Sequence, residues 1–221
     1  MSAAAIRAIL FDFDGTLAPN LDLASLRSEV VRFTAGTPVP QEVYADRYII
    51  EIIDAAHNWL TANEPQAAEA YHNDAHQLIV NFEVAAARTT APFPGVAQLL
   101  AELRNSNLKL GVVTRNCRAA VLEVFPDLLD YVDALHARED VAHLKPDTRH
   151  LNTCLGQIGA TADNSIMVGD GALDMRAGRA LDMLCIGVLS GSNEAAALQA
   201  AGADHILPDA LHLPDYLNQS A

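Results

Sequence analysis

Short apolar segments that alternate with helical patterns constrain the fold of this chain more than any other feature. Five segments have the length and composition of buried strands, and a weaker sixth follows them. The strand segments are Ala8–Phe13, Leu108–Thr114, Val132–His136, Ser165–Gly169, Leu184–Leu189 and the weaker His205–Leu207. The helical patterns between them are Val96–Asn105, Cys117–Phe125, Thr148–Ile158, Leu173–Ala180 and Glu194–Ala201. This alternation predicts an α/β fold built of βαβ units, in which helices cover both faces of a parallel sheet.

One long segment, from about Asp22 to Arg88, interrupts the alternation and shows only helical periodicity. Its three apolar stripes run through Leu23 to Phe33, Ile49 to Leu60 and Ala68 to Phe82. Because the segment directly follows the first strand, we predict a small helical cap (18–90) over a catalytic core (1–17 and 91–221). The alternative is a single α/β domain whose extra helices pack elsewhere.

Composition and charge narrow the classes of partner. The chain has 221 residues, 51% of them apolar, and a formal net charge of −14. This charge argues against nucleic acid and anionic membrane surfaces as partners, because both require basic patches. The three cysteines are far apart and form no CxxC pair, and the apolar stretch near the N-terminus is too short to span a membrane. We therefore expect a soluble cytoplasmic protein with reduced cysteines.

The first strand segment ends in two acids, in Phe11-Asp12-Phe13-Asp14-Gly15. Alternate residues of a strand share a face, so the Asp12 and Asp14 side chains should project together. Two close carboxylates repel each other unless a cation lies between them or one of them holds a proton. The alternative, a surface turn after a strand, does not explain why the acids lie among phenylalanines. The pair therefore indicates a catalytic site.

Further polar residues follow other strand segments. Ligands of an open parallel sheet bind outside the carboxyl ends of its strands. The candidate residues at those ends, and in the loop before the helix at Thr148, are Thr114, Arg115, Asn116, Lys145, Asp170 and Asp174. Acids, a hydroxyl group and a lysine are thus expected at one edge of the sheet.

Transfer of a phosphoryl group through a carboxylate nucleophile is the chemistry that needs this set. Asp12 would attack phosphorus, and Asp14 would act as general acid and then general base. A hard divalent cation, Mg²⁺, would bridge Asp12, Asp170 and a phosphate oxygen. Thr114 and Lys145 would bind the phosphate oxygens of a small phosphorylated metabolite.

The chain resembles the haloacid dehalogenase superfamily of phosphohydrolases in four ordered motifs. These are DxDGT from Asp12, a hydrophobic strand ending in Thr114, Lys145-Pro146-Asp147, and GDxxxD from Gly169 to Asp174. The resemblance implies a Rossmann-like core, Mg²⁺ and a phosphoglycolate phosphatase-like activity, and it implies that the insertion is a C1 helical cap. It also implies that the backbone carbonyl of Asp14 ligates the metal and that Asp174 supports the metal or the lysine.

Arg115 follows Thr114 where small or amide residues are frequent in this superfamily. Its planar guanidinium could bind a carboxylate or phosphate of the substrate, with Asn116 beside it. An exposed arginine at a helix start, paired with one of the many acids, is an equally good interpretation.

Histidines raise the question of a second metal site. His72 and His76 are four residues apart on a predicted helix, a spacing that zinc can use, and His57 lies in the preceding helical pattern. No third ligand is evident from the sequence, so we interpret these histidines as residues of a polar helix face.

Other activities remain open at the sequence level. A phosphosugar mutase of the same superfamily shares both acids and differs mainly in excluding water. A phospho-aspartate signalling receiver also places Asp, Thr and Lys at strand ends, but the helical insertion and Asp14 argue against it. A phosphonatase needs a lysine in the cap, where this sequence has none.

Overall fold

The computed structural model describes residues 6–219, which divide into two compact units. One unit contains the chain up to Asn20 together with the chain from Ala87 onward, and the other is Leu21–Ala86. The helical segment predicted at 18–90 contains the second unit. Its role as a cap stays a prediction.

The larger unit contains a six-stranded sheet in the order β3-β2-β1-β4-β5-β6, and every strand pair in it is parallel. The strands are β1 (Ala8–Phe11), β2 (Lys109–Val113), β3 (Ala134–His136), β4 (Ser165–Gly169), β5 (Leu184–Val188) and β6 (His205–Leu207). The predicted α/β fold with a parallel, Rossmann-like sheet is confirmed. Several predicted strands are too long by one or two residues at an end.

The central strand β1 is apolar on both faces because helices cover both faces of the sheet. All four of its residues are fully buried. It pairs with β2 on one side, where Phe11 lies opposite Val112, and with β4 on the other, where Phe11 lies opposite Val168. The strand order turns back between β1 and β4, which makes the carboxyl end of β1 the expected ligand position of such a sheet.

The smaller unit consists of helices that bury apolar stripes against one another. They are α1 (Leu23–Ala35), α2 (Gln41–Tyr44), α3 (Ile49–Asn63) and α4 (Pro65–Ala87). The Asp22 carboxylate caps α1 by accepting a 2.9 Å hydrogen bond from the Ser25 amide. Leu26, Ile53 and Ile79, one from each of the three long helices, belong to one buried cluster. The three stripes predicted from sequence therefore correspond to α1, α3 and α4.

Within residues 6–219, the sheet-bearing unit contains seven further α-helices. They are α5 (Val96–Asn105), α6 (Arg118–Val124), α7 (Leu128–Tyr131), α8 (Thr148–Ile158), α9 (Ala172–Arg179), α10 (Ala195–Ala201) and α11 (Leu213–Gln219). Helix α8 is bounded by local signals: the Asp147 carboxylate accepts from the Arg149 amide, and Gly159 ends the helix with φ 70°. Leu151 and Leu155 of α8 pack in the buried cluster that also contains Leu10 of β1.

Membrane-spanning character is not found in these helices. Within residues 6–219, no helix is both long enough and apolar enough to cross a bilayer.

Candidate active site

Three neighbouring strands deliver polar residues to one edge of the sheet. Asp12 follows β1, Thr114 follows β2 and Asp170 follows β4, and all three are buried. Backbone pairing continues past the strand ends, because the Asp12 amide donates to the Val168 carbonyl at 2.9 Å and the Thr114 amide to the His136 carbonyl at 3.0 Å. Hydrogen bonds to neighbouring strands therefore position the backbone of Asp12 and Thr114.

Lys145 joins two of the acids. Its Nζ lies 2.7 Å from Asp12 Oδ1 and 2.6 Å from Asp174 Oδ1, and only 1% of the residue is exposed. Burial alone would lower the pKa of this ammonium, but the charges of Asp12 and Asp174 outweigh burial and raise it. The lysine is therefore charged in the folded protein and holds the Asp12 side chain in place.

The acids outnumber their cation. Ligand oxygens of Asp12, Asp170 and Asp174 all lie within 4.8 Å of one another. Burial, and then the charge of Asp12, raise the pKa of Asp170 to about 6. The same two causes raise the pKa of Asp174 in spite of its ion pair with Lys145. Three crowded carboxylates facing one ammonium favour a further cation, and oxygen donors of this kind are those that Mg²⁺ binds. The residues present therefore fit the expected metal.

The Asp170 carboxylate is held by residues outside the four sequence motifs. Its Oδ2 accepts from the Ser192 amide at 2.9 Å and from Asn20 Nδ2 at 3.3 Å, and Asn193 Nδ2 donates to its backbone carbonyl at 3.0 Å. A Cβ at Gly191 would lie 1.8 Å from Asp170 Oδ2, so only glycine lets the loop after β5 come this close. This loop has no motif of its own, so the sequence does not mark it as part of the site.

Asp14 occupies a different environment from Asp12. Asn116 Nδ2 donates to both Asp14 carboxylate oxygens at 3.1 Å, and the Thr114 hydroxyl lies 3.5 Å from one of them. The Asn116 Oδ1 accepts from the Cys117 amide at 2.8 Å, which orients the Asn116 NH₂ group toward Asp14. Neutral donors therefore position Asp14, whereas a cation positions Asp12. Metal ligation by the Asp14 carbonyl stays a prediction.

Arg115 donates from Nη1 to the backbone carbonyl of Lys145. Its own carbonyl accepts from Arg138 Nη1 at 2.9 Å. These contacts link the loop after β2 to the loop that carries the lysine. Contact of Arg115 or Asn116 with substrate stays a prediction.

His150 contacts the backbone of Lys145. Its Nδ1 accepts from the Lys145 amide at 3.2 Å, and its Nε2 lies 3.3 Å from the His136 carbonyl. Burial, followed by the charge of Lys145, lowers the pKa of His150 to about 3. The ring is therefore neutral, with Nε2–H as donor. In the sequence, His150 is marked only by its position near Lys145. Its contact with the Lys145 amide becomes evident only in the structure.

A protein-family comparison matches residues 9–188 to the family described as haloacid dehalogenase-like hydrolase. The match covers most of the chain and includes the carboxylates and the lysine described above. The chain belongs to this family. Family membership does not support the signalling-receiver alternative, and it confirms the resemblance seen in the four motifs.

Characterised relatives are similar over nearly their whole length. The chain is 26% identical over 219 residues to a phosphoglycolate phosphatase of Yersinia pseudotuberculosis, covering 96% of this chain and 92% of that protein. It is 29% identical over 226 residues to the plasmid phosphoglycolate phosphatase of Cupriavidus necator, with coverage of 95% and 92%. Among solved structures, a haloacid dehalogenase-like hydrolase from Bacteroides fragilis aligns with a TM-score of 0.68 at 22% identity, covering 94% of this chain and 99% of that one. The solved structure shows the same fold, and the family match together with the curated relatives identifies a phosphoric monoester hydrolase.

Proposed function

We propose that this protein is a Mg²⁺-dependent phosphatase that hydrolyses a small phosphorylated metabolite through an aspartyl-phosphate intermediate. The proposal rests on one observation: two carboxylates that are only two residues apart have different hydrogen-bond and ion-pair partners. Asp12 is ion-paired with buried Lys145, whereas Asp14 is held by the neutral donors of Asn116 and Thr114. Divergent environments of two neighbouring acids indicate divergent roles.

Asp12 is the proposed nucleophile. Its Oδ1 lies 2.7 Å from the Lys145 ammonium, which leaves the other oxygen to attack phosphorus. The new O–P bond forms as the bond from phosphorus to the substrate's alcohol oxygen breaks. The ammonium then stays beside the acyl phosphate and offsets part of its negative charge.

Asp14 is the proposed general acid and base. It gives a proton to the departing alcohol oxygen in the first step. In the second step it takes a proton from the water that attacks the phosphorus of the aspartyl-phosphate, which restores Asp12 and releases phosphate. Asn116 and Thr114 fix the orientation of the carboxyl group through both steps.

The Asp12, Asp170 and Asp174 oxygens would hold Mg²⁺. When bound, the ion would supply electrostatic stabilisation of the phosphoryl oxygens and offset the charge that otherwise repels an anionic substrate. Gly191 and the Ser192 amide would keep the Asp170 carboxylate in position for this task.

Phosphoglycolate is the first substrate to test, because the curated relatives described above carry the name phosphoglycolate phosphatase. A small compact phosphate ester fits the same chemistry. We also propose a cytoplasmic location, in line with three buried cysteines that carry free thiols.

Hydrolysis of para-nitrophenyl phosphate, phosphoglycolate, pyrophosphate and a set of sugar phosphates tests the proposal, with Mg²⁺ and with a chelator. We expect phosphate release that requires Mg²⁺, is abolished in Asp12→Asn and is unaffected in Asp215→Asn, a control at an exposed carboxylate on α11. Acid-quenched mass spectrometry of Asp14→Asn incubated with para-nitrophenyl phosphate, whose leaving group needs no general acid, should detect phosphate on Asp12, because the second step lacks its base.

Full activity in Asp12→Asn, or equal activity after removal of divalent metal, would exclude the mechanism. Isomerisation of a sugar phosphate without net release of phosphate would identify a mutase instead.

A further inference from the structure

A second group of potential metal ligands lies in the helical unit, far along the chain from the carboxylates of the sheet. Ligand atoms of Asp54, His72 and His76 all lie within 4.8 Å of one another. Sequence analysis finds no third ligand beside the two histidines. That interpretation is incomplete, because Asp54 comes from a different helix.

Helical geometry explains how the three side chains meet. His72 and His76 are one turn apart on α4, so they occupy the same face of that helix. Asp54 lies on α3, and the rings of His72 and His76 have centroids 4.4 Å apart. The two helices pack through a shared buried cluster that includes Ile53 and Ala75. Packing of α3 against α4 therefore brings the three side chains together.

His57 adds a third imidazole at the edge of the group. Its Nδ1 lies 3.1 Å from the Ala68 carbonyl, and its ring centroid is 4.7 Å from that of His72. This contact orients the ring of His57, which lies on α3, toward the Ala68 carbonyl of α4. The His57 ring therefore packs beside His72 at the edge of the group.

The donor set selects the class of ion. Two imidazoles and one carboxylate suit Zn²⁺ and its first-row neighbours, whereas Mg²⁺ and Ca²⁺ prefer oxygen donors. Tetrahedral zinc with Zn–N bonds of about 2.0–2.1 Å brings its ligand atoms to about 3.3 Å from one another. The histidines are partly exposed and Asp54 is exposed, so an ion can reach the group from solvent and keep a water as a further ligand.

We propose that Asp54, His72 and His76 form a binding site for Zn²⁺ or a similar transition-metal ion, which would cross-link α3 and α4. This site is separate from the catalytic carboxylates in chain position, donor chemistry and preferred metal. Ion binding would stabilise the helical unit, since a ligand that binds only the folded state raises its stability.

Metal titration of the full chain tests this proposal. Zn²⁺ is titrated at pH 7.5 against a chromophoric chelator, in millimolar Mg²⁺ so that the carboxylate cluster is occupied. We expect one Zn²⁺ per chain, with affinity reduced about tenfold or more in Asp54→Asn and in the His72→Gln/His76→Gln double variant. His205→Gln, which changes an exposed histidine on β6, is the matched control and should bind like the wild type.

Two further measurements separate a built site from weak surface binding. Co²⁺ bound to the wild type should give visible absorption bands of a nitrogen-ligated ion, and these bands should be lost in the double variant. Zn²⁺ should raise the melting temperature of the wild type and the control but not that of the double variant. Equal Zn²⁺ affinity in all four proteins, or no binding at micromolar Zn²⁺, would overturn the proposal.

Discussion

Replacing the Asp170 carboxylate by an amide should stabilise the metal-free protein although it removes a proposed metal ligand. The pKa of Asp170 is raised from 3.8 to about 6 by burial and by the charge of Asp12. A shift of about two units corresponds to roughly 3 kcal/mol of unfavourable free energy in the ionised form at neutral pH. Asp170→Asn removes that charge, and its Oδ atom can still accept from the Ser192 amide. We expect a gain of about 1–3 kcal/mol in the free energy of unfolding at pH 8 in chelator.

The pH dependence of this gain has a definite sign. A carboxyl whose folded pKa lies above its unfolded pKa binds more protons in the folded state, so stability falls as pH rises from about 4 through about 6. The wild type should therefore approach the stability of Asp170→Asn at pH 5 and fall behind it at pH 8. Saturating Mg²⁺ should narrow the difference at pH 8, because it stabilises the wild type selectively.

Urea unfolding followed by circular dichroism measures these differences. Asp133→Asn is the matched control, since burial raises the pKa of Asp133 but hydrogen bonds from the Leu110 amide and Lys109 outweigh burial and lower it. The control variant should be less stable than the wild type at pH 8. If Asp170→Asn also loses stability at pH 8 in chelator, the carboxylates do not repel each other as described.

Three other substitutions test the buried histidine, the arginine beside the lysine loop and the packing of β2. His150→Gln should gain stability relative to the wild type as pH falls from about 6.5 toward 3, measured by urea unfolding, because the lowered pKa of His150 makes the unfolded state bind the extra proton. Arg115→Lys should lower kcat with little change in KM in steady-state assays, because its guanidinium holds the Lys145 loop, whereas a raised KM would indicate substrate contact. Gly111→Ala should lower the melting temperature, at a cost of about 1–3 kcal/mol, because its Cβ would lie 2.5 Å from Cys154 Sγ and 2.7 Å from Leu10 Cδ2. An unchanged melting temperature would show that the core yields there.

Local patterns are sufficient to predict most of the sheet. The segment Ser165–Gly169 is predicted with its observed bounds because an apolar run is closed on both sides by polar residues. The first strand is predicted through Phe13 and ends at Phe11, since Phe13 is apolar but already belongs to the turn that carries Asp14. Helices α2 and α7 are too short to show periodicity, and the sequence analysis does not predict them.

Site residues can be predicted from sequence where they directly follow strands of the parallel sheet. Asp12, Thr114 and Asp170 follow adjacent parallel strands, so their proximity follows from topology alone. His150 and Gly191 act through contacts with residues in other loops, and no local pattern marks them. The partnership of Asp54 with His72 likewise depends on the pairing of two helices, which single-helix periodicity does not determine.

Asn20 is the last residue of the sheet-bearing unit before the chain enters Leu21–Ala86. Its Nδ2 donates to Asp170 Oδ2 at 3.3 Å and to Ser192 Oγ at 2.6 Å. Every hydrogen bond and ion pair described for the carboxylate and lysine site comes from residues up to Asn20 or beyond Ala87. An exchange of Leu21–Ala86 by recombination would therefore retain every residue that makes those contacts. In such an architecture, evolution can vary the inserted helices while the machinery for phosphoryl transfer stays constant.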